Sequence, residues 1–228
     1  VSRPCPIYGR AIYADCQECD SKWCNMKYKY NTICIGIDQS YQNTGISISA
    51  DNTLLVVKSI ELKKYDTNSE KRKVLSKRLH SIVSKLIGKA KNIICVIERI
   101  RLRSQGFLNI DYIKSIGAIN ATIVDVMTDY NIKVYSVDTR CWKAQVVGTS
   151  KPKDNAFGVP SEKWPTVLWV INRGFENSIL KKVEGRREKG TFIHKELGKC
   201  EYNNDASDSA AISMFWFLGD RNKLKEER

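Results

Sequence analysis

From Thr32 onward the apolar residues fall into short β-rich runs, and the first of these, Ile33-Cys34-Ile35-Gly36-Ile37, has no polar face before it reaches Asp38. Such a run predicts a central strand buried on both sides. Thr44 to Ser49 and Leu54 to Leu62 predict two further strands, with turns at Gln42-Asn43 and Asp51-Asn52, and connections this short predict an antiparallel meander. Thr67-Asn68-Ser69-Glu70 has the form of a capping box and opens a helix whose apolar stripe is Val74, Leu75, Leu79, Ile82, Val83, Leu86 and Ile87. Asn92 to Ile97 predicts a strand ending at Glu98, Asn109 to Tyr130 a helix, and Ile132 to Val137 a fifth strand. A final helix begins near Asn204 and runs through Ala210, Ala211, Met214 and Leu218 to Gly219. A meander followed by two helix–strand units predicts an α/β fold, a mixed five-stranded sheet with helices on both faces.

Two segments break this pattern. Lys151 to Pro160 is polar and contains proline and glycine, and Lys181 to Lys199 is basic with little apolar periodicity, so both are expected as loops or a hairpin inserted before the last helix. Trp164, Trp169, Trp216 and Phe217 stand at near-helical spacing and are expected in the core. The predicted organisation is a small module over residues 1–30, a main domain over 31–220 with a basic insertion at about 151–200, and a charged tail over 221–228.

The amino-terminal module is set apart by its cysteines. Of eight in the chain, Cys5, Cys16, Cys19 and Cys24 cluster in a C-x10-C-x2-C-x4-C spacing suited to structural Zn2+, which would stabilise a segment too poor in apolar residues to fold on its own core. Two disulfides are the alternative. Zinc is favoured because Cys34, Cys95, Cys141 and Cys200 read as isolated thiols, a pattern of a reducing intracellular compartment such as the cytoplasm, a nucleoid or a viral replication site. Four thiolates would leave that ion no open position for catalysis.

Charge adds a partner. The 228 residues hold 38 Lys and Arg against 25 Asp and Glu, a net charge of +13, which favours a polyanion through counterion release. No apolar run is long enough to cross a bilayer and no basic-then-apolar leader is evident, so no membrane partner is expected.

Against that positive background four acids stand out. Asp38 and Glu98 each close a hydrophobic strand, where open α/β sheets present their chemistry, and Asp205 and Asp208 share one face of the first turn of the last helix. Each has a local explanation: a helix-terminal acid for Asp205, a solvated acid for Asp208, a turn for Asp38. Glu98 is harder to explain so, since an acid ending Ile-Ile-Cys-Val-Ile needs a cation or a hydrogen-bond partner. Together the four suit two hard cations, Mg2+ or Mn2+, arranged for phosphodiester hydrolysis.

Three segments resemble the RuvC family of Holliday-junction resolvases, within the ribonuclease H-like superfold, across about residues 33 to 218: Ile35-Gly36-Ile37-Asp38 with Thr44-Gly45, Val96-Ile97-Glu98, and Asn204-Asp205-Ala206-Ser207-Asp208-Ser209-Ala210-Ala211. The resemblance implies that Asp38, Glu98, Asp205 and Asp208 hold the catalytic metals, with Asp38 as the shared bridge. Arg140-Cys141-Trp142-Lys143-Ala144-Gln145-Val146-Val147-Gly148 is similar to a family segment that approaches DNA, which nominates Arg140 and Lys143, and Ser161-Glu162-Lys163 is similar to one with a lysine near the scissile phosphate, which nominates Lys163. The family implies a homodimer that makes paired symmetric nicks across a four-way DNA junction. The cysteine module, the long basic stretch before Asp205, and Arg101 in place of a junction-opening aromatic depart from the bacterial pattern and resemble viral, phage or mobile-element relatives. Phe107 is either a substitute stacking wedge or a core or loop aromatic.

Basic residues would hold the backbone. Arg99, Arg101 and Arg103 alternate after Glu98 and would share one face of an extended segment, while Lys181, Lys182, Arg186 and Arg187 in the insertion extend a basic channel. The basic face of the first helix (Arg72, Lys73, Lys77, Arg78, Lys85) is either part of that channel or merely solvated. Other functions compete with junction resolution: a broader flap and fork nuclease of the same fold, a non-catalytic zinc-containing nucleic-acid-binding protein, and an actin-like sugar kinase or ATPase. The last is disfavoured because the duplicated second domain it needs has no counterpart in the chain.

Overall fold

The computed structural model describes residues 28–100, 110–148, 163–182, 191–194 and 198–227. The predicted meander forms from β1 (Tyr30–Asp38), β2 (Asn43–Ala50) and β3 (Thr53–Glu61), paired antiparallel in succession. Its second turn is made by Asp51 and Asn52 at φ 44° and 70°, a left-handed conformation that these residue types tolerate. Then come α1 (Asn68–Val83), β4 (Ala90–Glu98), α2 (Ile110–Asp129) and β5 (Lys133–Val137), with β4 parallel to both β1 and β5. Thr67 caps α1 through the reciprocal bonds with Glu70 that its sequence predicts.

The sheet has six strands rather than the predicted five. Its order is β3-β2-β1-β4-β5-β9, and β9 (Lys225–Glu227) comes from the segment read as a charged tail. That strand has no apolar alternation because it is a charged edge: it pairs antiparallel to β5 through its main chain, and Lys133 lies 3.3 Å from Glu226.

Helices cover both faces. On one, Ile33, Ile35 and Ile37 pack with Leu75, Leu79 and Val83 of α1 and Ile119, Ile123 and Met127 of α2. The other face, with Cys34, Val96 and Val137, is covered by α3 (Thr139–Trp142), α4 (Trp164–Ile171) and α6 (Asn204–Leu218). Between α3 and α4 the chain makes a π-helical turn over Lys143–Val147. Trp164 and Trp169 are buried as expected, while Trp216 and Phe217 are half-buried at its edge.

Among the described residues of the basic insertion the hairpin alternative is realised and gains a third strand. After α5 (Glu176–Ile179), strands β6 (Leu180–Lys182), β7 (Thr191–His194) and β8 (Gly198–Tyr202) form a small antiparallel sheet in the order β6-β8-β7. Strand β8 runs straight into Asn203, the N-cap of α6, whose side chain accepts from the Ala206 N–H at 3.0 Å.

Helix α6 is buried from Ala206 to Phe215 and lies on the sheet almost without intervening side chains. Alanines and serines line it, and the strands below carry Gly36 and Gly45. A Cβ on Gly36 would lie 2.4 Å from the Ser209 carbonyl oxygen, and one on Gly45 would lie 1.8 Å from that of Asp205. The serines are satisfied across the interface: Ser47 donates to the Ser209 carbonyl at 2.6 Å, and the Ser49 and Ser213 hydroxyls share a 2.5 Å bond. Of the described cysteines, Cys34, Cys95, Cys141 and Cys200 are all free thiols. Among the described residues no helix is long and apolar enough to cross a membrane.

Candidate active site

The parallel pairing of β1 and β4 runs to Ile37 opposite Ile97, so Asp38 and Glu98 emerge side by side at the ends of neighbouring strands. Across the other edge of β1, Asp38 is in register with Gly45, and it is on Gly45 that the backbone of Asp205 rests. The close approach of α6 to β2 thus carries its first turn over the end of β1. All four acids come within electrostatic reach of one another, and Asp38 and Glu98 share a side-chain hydrogen bond.

The environment of Asp38, Asp205 and Asp208 resists ionisation. Burial, then the charges of Asp208, Glu98 and Asp205, hold the Asp38 carboxyl well above the usual range. Burial and the Asp208 charge push Asp205 up to about 6, and Lys163 opposes the rise. Asp208 is raised by burial against the pull of Lys163 and then Lys143. Lys163 sits at the head of α4 with its Nζ 3.8 Å from Asp208 Oδ2.

Neutral groups complete the surroundings. Thr139, at the start of α3, donates its hydroxyl to Glu98 Oε1, and Gln39 donates its amide to the Glu98 main-chain carbonyl. Asn204 Nδ2 donates to Asp208 Oδ2 at 3.0 Å. These partners were not anticipated from the sequence, since nothing in a lone Gln, Thr or Asn signals tertiary proximity to an acid. Among the described residues no three Asp, Glu, His or Cys side chains form a ready coordination shell. The donor set nevertheless fits a hard cation: Asp208 Oδ1, Asn204 Oδ1 and Gln39 Oε1 are buried oxygens without a hydrogen-bond partner.

The remaining predicted residues are dispersed around this cluster. Arg140 is exposed on α3, and Lys143 follows with its Nζ 5.2 Å from the centre of the Trp142 ring. Arg99 turns inward toward β5, its guanidinium 3.4 Å from both the Ser136 hydroxyl and carbonyl oxygens, which differs from the open phosphate-facing row expected of alternating arginines. On β6, Lys181 and Lys182 are exposed. On α1, Arg72 bonds Thr122 of α2 at 3.0 Å, whereas Lys73, Lys77, Arg78 and Lys85 are exposed. Cys5, Cys16, Cys19, Cys24, Arg101, Arg103, Phe107, Arg186 and Arg187 lie outside the described residues. A cavity of about 750 Å3 lined by Asn31, Asp51, Asn131 and Arg221 opens near the start of β1 and contains none of the four acids.

The six-stranded mixed sheet with helices on both faces is a ribonuclease H-like fold, with its acids at adjoining strand ends and on the covering helix. Among solved structures it is similar to RuvC of Thermus thermophilus in complex with a Holliday junction substrate, at TM-score 0.54 and 12% identity over 86% of this chain and 100% of that one. A second Thermus thermophilus RuvC structure matches at TM-score 0.51 and 13% identity, over 86% of this chain and 99% of that one. The yeast mitochondrial Holliday junction resolvase Ydc2 matches at TM-score 0.44 and 13% identity, over 86% of this chain and 81% of that one. No family model matches the sequence, and no curated protein does.

Proposed function

We propose that this protein is a Mg2+- or Mn2+-dependent endonuclease that resolves four-way DNA junctions by paired symmetric nicks. The observation that carries the reading is the convergence of Asp38, Glu98, Asp205 and Asp208 in one site, where burial and mutual repulsion raise the carboxyls of Asp38, Asp205 and Asp208, on a fold shared with RuvC. Burying four acids together is costly unless cations neutralise them, and these oxygens are hard ligands. Asp38, Glu98, Asp205 and Asp208 would hold two ions, which supply an activated water and stabilise the leaving oxygen of a phosphodiester.

The protein's own groups prepare that site. Thr139 and Gln39 fix the Glu98 side chain and main chain, and Asn204 orients Asp208. Lys163 sets a positive charge beside Asp208, where it favours ionised carboxylates and would meet a non-bridging phosphate oxygen. Arg140, Lys143, Lys181 and Lys182 would contact the DNA backbone, and the small sheet beside the start of α6 would extend that surface along a junction arm. A homodimer would place two such sites for symmetric cuts, and a zinc-bound Cys5, Cys16, Cys19 and Cys24 module would precede the nuclease domain.

Replacing Asp38 by Asn tests the reading. Cleavage of a four-way junction is expected to disappear while junction binding in a gel-shift assay persists, and retained cleavage would sink the assignment. If all four acids are neutralised with no loss of function, a non-catalytic binding protein is the better reading.

A further inference from the structure

Gln39 is buried, with 8% of its surface exposed, although a glutamine at the end of a strand usually reaches water. Its Nε2 donates to the main-chain carbonyl of Glu98, which ties the loop after β1 to the end of β4 between two of the acids. That bond also sets the direction of the other end of the amide. Turning the group over would press its oxygen against the Glu98 main-chain carbonyl, so the nitrogen takes that carbonyl and Oε1 is left for another partner. Oε1 is buried and has no hydrogen-bond partner.

An unmet buried acceptor is costly unless a donor or a cation reaches it. No hydrogen-bond donor of a neighbouring side chain reaches it. Thr139 has given its hydroxyl to Glu98, and Lys163 lies beside Asp208. A hard cation shared by the acids, or a water on that cation, is the donor of positive charge that suits a neutral amide oxygen.

We infer that Gln39 is a metal-positioning residue, its Oε1 serving the divalent ion held by Asp38 and Glu98 either directly or through a bound water. The inference rests on the proposed metal site and adds a neutral oxygen to its four acids. Because the amide is bonded to Glu98, it also couples the separation of the two strand ends to cation binding.

The test is Mn2+ binding to full-length protein without DNA, measured by calorimetry and by the Mn2+ electron paramagnetic resonance signal. Gln39→Met, which keeps the length of the side chain and loses the carbonyl, is expected to weaken binding about 10–100-fold. Gln39→Glu, which keeps an oxygen for the cation but loses the Nε2 donor to the Glu98 carbonyl, is expected to weaken binding clearly less than Gln39→Met. Circular dichroism and melting in EDTA establish that each variant is folded. Wild-type affinity in Gln39→Met, or equal weakening in both variants, overturns the inference. Asp38→Asn is measured alongside: loss of Mn2+ binding there with none in Gln39→Met rejects Gln39 alone, and unchanged binding in both rejects the metal site itself.

Discussion

Substituting Gly45 by alanine probes how α6 delivers two of the acids. The added Cβ would stand 1.8 Å from the Asp205 carbonyl oxygen, 2.2 Å from its carbonyl carbon and 2.8 Å from the Ala206 nitrogen. All three are main-chain atoms, so no side chain can swing aside. Reaching the 3.4 Å of ordinary contact requires the start of α6 to retreat by about 1.6 Å. Overpacking of this kind costs about 3 kcal/mol at the upper end of its usual range, which in a chain of this size lowers Tm by about 6–12 °C. The retreat carries Asp205 and Asp208 away from Asp38, and a misplacement near 1 Å is expected to reduce cleavage about 100-fold. Gly117, in α2, is the control: a Cβ there meets nothing within 4 Å, so Gly117→Ala is expected to raise Tm through better helix propensity and leave cleavage intact. Melting by circular dichroism and single-turnover cleavage of a four-way junction read both effects. If Gly45→Ala melts and cuts like wild type, the packing of α6 on β2 does not position the acids.

Three further outcomes follow from the electrostatics and the surface. The Asp205 carboxyl is raised to about 6, so the stability it contributes is complete below its unfolded value and is lost as pH rises through about 6. In EDTA, Asp205→Asn is therefore expected to melt above wild type at pH 7 and the gap to close toward about pH 4, whereas a difference that does not vary with pH contradicts this origin. Lys163→Met removes the ammonium 3.8 Å from Asp208 and is expected to slow single-turnover cleavage about 100-fold while junction affinity holds; an affinity loss without a rate loss would make it a binding residue only. Lys181→Ala with Lys182→Ala is expected to lower the slope of log affinity against log salt by about 2, measured by fluorescence anisotropy, and an unchanged slope removes β6 from the DNA surface.

Much of the framework was legible because single local rules decided it. The continuous apolar run of β1 reads as buried on both faces, and Cys34 and Ile35 do pack into opposite core layers. The Thr67 capping box, the turn at Asp51 and Asn52, and the small-residue final helix each declare themselves by residue type. Asp38 and Glu98 stood out because an acid ending an apolar strand has few other uses. What was hidden depended on the assembled fold. Strand β9 pairs through main-chain groups, so its charged sequence carries no signal. Lys71 carries no signal in the sequence, yet it is buried with its ammonium 3.3 Å from the centre of the Tyr41 ring. Gly45 is legible as part of a motif, but its reason, the backbone of Asp205 lying on it, exists only in the packed structure. Arg99 alternates with Arg101 and Arg103 in sequence, and only the position of β5 shows that its guanidinium has a partner in Ser136.

The central claim is that these acids cut branched DNA. Its most direct test is to incubate the purified full-length protein with matched four-way-junction, flap and linear duplex DNAs in Mg2+, and to map the nicks at nucleotide resolution. Paired nicks at symmetry-related positions in two strands of the junction are expected, absent in EDTA. Equal cutting of the flap would assign a broader debranching nuclease, and failure to cut any of the substrates in Mg2+ or Mn2+ while the junction remains bound would contradict the nuclease assignment.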